Sequence, residues 1–76
     1  MSDVAFARVV AIFTDIVGCA PTRGPDTLPR DMPLWDSLSH IKFVHALERE
    51  FRCELPEEYL LPGKRLGDFT TAAAGR

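Results

Sequence analysis

Asp36 and Ser37 head the stretch Leu34-Trp35-Asp36-Ser37-Leu38-Ser39-His40-Ile41-Lys42-Phe43-Val44-His45-Ala46-Leu47-Glu48-Arg49-Glu50-Phe51, and they are the residues best placed to do chemistry. Leu38, Ile41, Val44, Leu47 and Phe51 recur at intervals of three and four, which predicts a helix from Asp36-Ser37 to about Phe51 with those residues on one apolar face. Asp36 or Ser37 can cap its first turn by accepting a backbone N–H. The chain reaches this point through a polar, Pro-rich approach, so a serine here is accessible. It faces the positive end of the helix dipole, which suits an attached phosphate. The pattern leaves two readings of Ser37: a group that another enzyme modifies, or a plain helix cap.

Catalysis by Ser37 itself has little support. A nucleophilic serine needs a base to activate it and donors for an oxyanion. No Gly-x-Ser-x-Gly elbow is present, and a chain this short has little room for a water-excluding cleft. His40 lies within the apolar arc and His45 at its edge, positions that suit packed, hydrogen-bonded side chains, and no carboxylate is placed to complete a triad. The chain is therefore expected not to be an enzyme and to have no catalytic residue. Cys19 and Cys53 form no Cys-x-x-Cys and have no paired histidines, so no metal site is expected. They read as thiols in a reducing compartment. They would stand at opposite ends of the molecule if the first two helices run antiparallel, which argues against a disulfide.

The elements that must position Asp36 and Ser37 come from a chain of 76 residues, which predicts one domain over 1–76 and a core to which every helix contributes. Hydrophobic residues make up 46% and charged residues 26%, ordinary values for a globular domain. The net charge of -2 and the lack of a basic run argue against nucleic-acid binding. No stretch is long enough to span a bilayer and no signal peptide precedes the first helix, so a cytoplasmic monomer is expected.

Ser2 or Asp3 can cap a first helix whose apolar face is Phe6, Val9, Val10, Phe13, Ile16 and Val17, with Arg8 and Asp15 on the other side and Gly18 as its stop. From Cys19 to Trp35 the prolines at 21, 25, 29 and 33 predict a long irregular loop, tacked down by Leu28, Met32 and Leu34. Trp35 reads as a packing anchor or as a contact for a partner or cargo beside Ser37. On the central helix Ser39, Lys42, Ala46, Arg49 and Glu50 point away from the apolar stripe. Leu55-Pro56-Glu57-Glu58-Tyr59-Leu60-Leu61 reads as a short helix with Pro56 in its first turn, broken by Pro62-Gly63. A last helix from about Lys64 or Arg65 to Ala74 would bury Leu66, Phe69 and Ala73, weakened by Gly67 and two threonines, before a frayed Gly75-Arg76. No period-two alternation persists, so no sheet is expected. The expected fold is all-α, a small four-helix bundle of three longer helices and a short third one, with a long loop between the first and second.

Asp36-Ser37-Leu38 resembles the Asp-Ser-Leu signature of acyl and peptidyl carrier proteins, and the surrounding register strengthens the likeness. Leu38, Ile41, Val44, Leu47 and Phe51 fall where the family's second helix has its core residues. Leu47-Glu48-x-Glu50-Phe51 matches that helix's end, and Leu55-Pro56-Glu57-Glu58 the start of the short third helix. The long loop, the length and the apolar first helix fit as well, so the likeness covers nearly the whole chain.

The resemblance implies that Ser37 receives 4′-phosphopantetheine from coenzyme A through a phosphopantetheinyl transferase, and that the arm's thiol holds acyl or aminoacyl cargo as a thioester. It implies that Asp36 helps organise the metal-dependent transfer, and that Leu38 with the outer side of the second helix (Ser39, Lys42, Ala46, Arg49) docks partner enzymes. Such partners include an acyl- or aminoacyl-loading enzyme and a downstream synthase or transferase.

Pro33-Leu34-Trp35 stands where the family often has a glycine, and Ser39, Lys42 and Arg49 stand where fatty-acid carriers are acidic. A face of mixed charge does not complement a strongly basic partner. The expected setting is therefore polyketide, nonribosomal-peptide or related specialised biosynthesis. An aminoacyl carrier of cell-wall modification and an unmodified helical interaction module are the alternatives.

Overall fold

The computed structural model describes residues 3–61 and 63–74. Among the described residues three α-helices carry the fold: α1 (Asp3–Val17), α2 (Ser37–Phe51) and α3 (Leu66–Ala74). Short 3₁₀ turns lie at Gly24–Asp26, Pro29–Asp31 and Glu57–Leu60, and no strand occurs among the described residues. The architecture is thus an all-α bundle, with one departure from the expected four helices. The short third helix is a single 3₁₀ turn that begins after Pro56 rather than containing it. Leu55, just before it, is buried. Four residues are too few to nucleate an independent α-helix, so packing against α2 holds the turn.

α1 and α2 run in opposite directions. Near the start of α1, Arg8 donates to the Glu50 carboxylate at 2.8 Å, at the end of α2. Further along, the Phe13 ring meets Phe43 at 5.4 Å between centroids. Both partners of the Arg8–Glu50 pair are about half exposed, so its contribution is small, about 0–1 kcal/mol. Cys19 follows the end of α1 and Cys53 the end of α2, so the two free thiols sit at opposite ends of the pair.

The core is largely aromatic. Phe13, Trp35, Phe43 and Phe69 are buried and meet edge to face or tilted, with centroids 4.8 to 6.3 Å apart. Val9, Val17, Leu47, Leu66 and Ala73 fill the space around them. The predicted apolar positions of α1 and α3 are those that face this core or flank it.

On α2 the predicted stripe is corrected. His40, Phe43, Val44 and Leu47 are buried, whereas Leu38 is 62% and Ile41 45% exposed. Successive steps of three do not stay on one helix face. Leu38 and Leu47 are separated by about 900° of helix, which places them on opposite sides. The inward set instead follows the i, i+3, i+4, i+7 pattern of a true helix face.

The loop is more ordered than its prolines suggest. Thr27 is fully buried at its centre: its hydroxyl accepts from the Arg23 N–H (2.9 Å) and donates to the Gly24 carbonyl (2.8 Å), and its carbonyl accepts from the Leu66 N–H (3.0 Å). Met32 is buried and Leu28 half-buried, but Leu34 is 55% exposed and does not tack the loop down. Gly67 has a packing reason. A Cβ there would lie 3.0 Å from Pro25 Cβ and 3.1 Å from the Pro25 carbonyl oxygen, so glycine lets α3 close on the loop. Gly18 ends α1 at φ 100°, with its N–H on the Thr14 carbonyl, as its type predicts. Ser2 as first cap, Pro62 as breaker and Gly75-Arg76 as frayed end lie outside the described residues.

Candidate functional site

Asp36 is the N-cap of α2. Its backbone is extended (φ -93°, ψ -174°), and its Oδ1 accepts from the Ser39 N–H at 2.9 Å. That backbone N–H, together with the Ser39 hydroxyl, holds the Asp36 carboxyl below its ordinary 3.8, so it is ionised at neutral pH. Ser37 is therefore the first helical residue, and its side chain is exposed. The cap is Asp36 rather than Ser37, which leaves the Ser37 hydroxyl without a structural duty in closing the helix.

A cleft of about 430 Å³ opens beside Ser37. Pro29 and Arg30, on the second loop turn, line it. Trp35 and Asp36 before α2, His40 and Ile41 of α2, and Leu60 complete its lining. Trp35, Ile41 and Leu60 give the cleft apolar surface, and Arg30 gives it a cation. Among the described residues Arg30 has no ion-pair partner. It also stands at the edge of a second cleft of about 450 Å³ bordered by Arg65 and Asp68.

His40 ties the surroundings of the cleft together. The Trp35 Nε1–H donates to His40 Nδ1 at 3.0 Å, and His40 Nε2 lies 2.7 Å from the Tyr59 carbonyl. An indole nitrogen can only donate, so Nδ1 must be the acceptor and Nε2 must carry the proton that goes to Tyr59. One buried imidazole in a single tautomer thus joins the loop, α2 and the turn that carries Leu60. His40 is the packed, hydrogen-bonded residue that its position in the sequence predicts, and Trp35, 3% exposed, is the packing anchor whose edge reaches the cleft. His45 is exposed on the other side of α2.

The predicted docking residues separate by exposure. Lys42 and Arg49 are exposed, Ser39 and Ala46 half-buried, and Leu38 projects outward. Ser39, Lys42, Ala46 and Arg49 keep steps of three and four, so they form one stripe along α2. Ile41, Leu60 and Arg30 were not singled out for the site by the sequence. The signal for Ile41 was present: once Phe43 and His40 are set inward, Ile41 must turn outward. Arg30 and Leu60 come to Ser37 through tertiary structure alone.

The arrangement offers an exposed hydroxyl at a helix start, a neighbouring ionised carboxylate, and an open cleft with apolar walls and one cation. No base lies in hydrogen-bond contact with Ser37 among the described contacts. No described helix is long and apolar enough to cross a membrane. Compared with protein-family models, with curated proteins and with solved structures, the chain matches none.

Proposed function

We propose that this chain is a non-catalytic carrier protein. In this reading Ser37 is modified with 4′-phosphopantetheine, and the chain presents acyl or aminoacyl groups to partner enzymes of polyketide, nonribosomal-peptide or related biosynthesis. The observation that carries the reading is an exposed Ser37 at the first position of α2, relieved of capping by Asp36 and opening onto a cleft. The small all-α bundle, with its long loop leading to that serine, is consistent with it.

In the modification, Ser37 Oγ forms a bond to the β-phosphorus of coenzyme A, the pyrophosphate link breaks, and adenosine 3′,5′-bisphosphate leaves. The hydroxyl proton passes to a base of the transferase, since this chain supplies none. The residues fit the group in two respects. The hydroxyl is accessible to a second protein, and the helix start offers its positive dipole end to the new phosphodiester. When bound, the arm supplies a terminal thiol for thioester formation and a tether that raises the cargo's effective concentration at a partner site. Asp36 keeps the helix start in register and presents its second carboxylate oxygen to a metal held by the transferase. Leu38, Ser39, Lys42, Ala46 and Arg49 form the docking stripe.

Intact-protein mass tests this reading after incubation with coenzyme A, Mg²⁺ and a phosphopantetheinyl transferase. A phosphopantetheine-sized gain in the parent and none in Ser37→Ala is expected. No gain with either a broad-specificity or the cognate transferase, in a chain shown to be folded, would leave Ser37 as an ordinary first-turn residue. The exposed Leu38, Ile41 and Leu61 would then favour an unmodified interaction module.

A further inference from the structure

We propose that the cleft beside Ser37 is a preformed seat for the arm, with the Arg30 guanidinium on its phosphodiester and Ile41 and Leu60 against its apolar carbons. This rests on the carrier reading and adds a specific role for three residues of this chain.

Charge argues first. A phosphodiester on Ser37 would stand next to the ionised Asp36, and two neighbouring anions repel. The Asp36 Oδ1 is already committed to the Ser39 N–H, so its charge cannot turn away without uncapping α2. Arg30 borders the same cleft, is exposed, and has no ion-pair partner among the described residues. It is the cation in the cleft available to offset the second anion, and a guanidinium can meet two phosphate oxygens at once.

Shape argues second. Ile41 and Leu60, 45% and 43% exposed, are large apolar side chains lining one cleft that opens at Ser37. The phosphate end of the arm carries a quaternary carbon with two methyl groups, which can cover them. Trp35 joins the cleft to the packed aromatic core. The rings of Trp35, Phe43 and Phe69 lie in mutual contact, and Tyr59 meets Phe69 at 5.2 Å. An arm that settles on this side of the bundle therefore lies along the surface. The cleft also needs no rearrangement, because the His40 hydrogen bonds to Trp35 and to Tyr59, the neighbour of Leu60, hold its lining in place.

The test uses the full chain, isotope-labelled and carrying an unlabelled arm, with loading first verified by mass. Two readouts follow: nuclear Overhauser contacts between the arm's methyl protons and the protein, and the ³¹P resonance of the phosphodiester at low and high salt. Contacts to Ile41 and Leu60 are expected, and so is a ³¹P resonance that moves with salt. Arg30→Gln should remove the salt response and weaken the contacts. Ile41→Gln should remove the contacts and leave the ³¹P salt response in place. Both side chains are exposed, and circular dichroism checks that both variants fold. A loaded chain whose arm contacts neither Ile41 nor Leu60, or whose ³¹P resonance is the same with and without Arg30, overturns the seat while leaving the carrier reading intact. A chain that gains no arm at all overturns both, and the mass measurement tells the two failures apart.

Discussion

Replacing His40 with leucine should be among the most damaging single changes outside the aromatic core, and the structure sets its size. The substitution removes two hydrogen bonds at once, from the Trp35 Nε1–H and to the Tyr59 carbonyl. The Trp35 side chain is 3% exposed, so its orphaned N–H cannot turn to water, and a buried unsatisfied donor costs about 1–3 kcal/mol. Tyr59 is half-buried and its carbonyl can recover a water, so that loss lies nearer ~0.5–1 kcal/mol. The edge-to-face contact of His40 with Phe69, at 5.5 Å, adds about 0.5 kcal/mol. The sum is about 2–4.5 kcal/mol, a large share of the ~4–11 kcal/mol expected for a domain this size. Urea unfolding followed by far-UV circular dichroism measures it. His40→Gln, which retains an acceptor and a donor, should lose less. The sharper assay is a double-mutant cycle with Trp35→Phe, which removes the donor instead. If the bond is as described, the double variant should be less destabilised than the sum of the singles by at least about 1 kcal/mol, since neither orphan then remains. Strict additivity would refute the relay, as would a cost for His40→Leu below about 0.5 kcal/mol.

Three further outcomes are expected. Thr27→Val keeps the shape of a fully buried side chain but loses a hydroxyl that both accepts and donates. It should cost about 1–3 kcal/mol in urea unfolding, against almost nothing if the loop were loosely held. Gly67→Ala should fail to deliver the ~1 kcal/mol that helix propensity promises, and should instead lower the melting temperature, because the added carbon meets Pro25 backbone; a clear rise would show that the loop yields easily. Asp36→Ala should lower the melting temperature at neutral pH. The Asp36 carboxyl is held below its ordinary 3.8, chiefly by the Ser39 N–H, so its contribution is fully present above that value. It fades as pH falls through the lowered folded value. The gap between parent and variant should therefore close in acid, and a gap of constant width would assign the loss to something other than the charged cap.

The first helix and the last were legible because their apolar residues repeat at true helical spacing and their partners are other helices. Asp36 and Ser37 were legible for a similar reason: capping is a local event, written within four residues. The α2 stripe misled because leucine and isoleucine outrank histidine on any hydropathy scale. His40 enters the core only because Trp35 and Tyr59 supply partners for both ring nitrogens, a condition that two other segments fulfil. The loop misled in the same way. Its prolines predict irregular backbone, and the order comes from Thr27, whose carbonyl is claimed by Leu66, 39 residues further on. What the sequence could not show is each place where a polar group is satisfied at a distance.

That difference bears on the site. Leu38 and Ile41 are expensive residues to leave in water, and a fold concerned only with stability would turn them inward and His40 outward. Here the rotation of α2 is the reverse. It places the imidazole in the lining of the cleft and the aliphatic side chains beside Ser37. Rotating α2 by one residue would break the Trp35–His40–Tyr59 connection and swing Ser37 away from Arg30 and Leu60 together. The buried histidine and the exposed apolar rim are therefore two consequences of one rotational setting. Variants that loosen the relay should disturb the surroundings of Ser37 before they unfold the chain. The ³¹P resonance of the proposed arm on Ser37 in His40→Gln, recorded well below the melting temperature, is the place to look. A resonance identical to that of the parent would separate the stability of the bundle from the construction of its site.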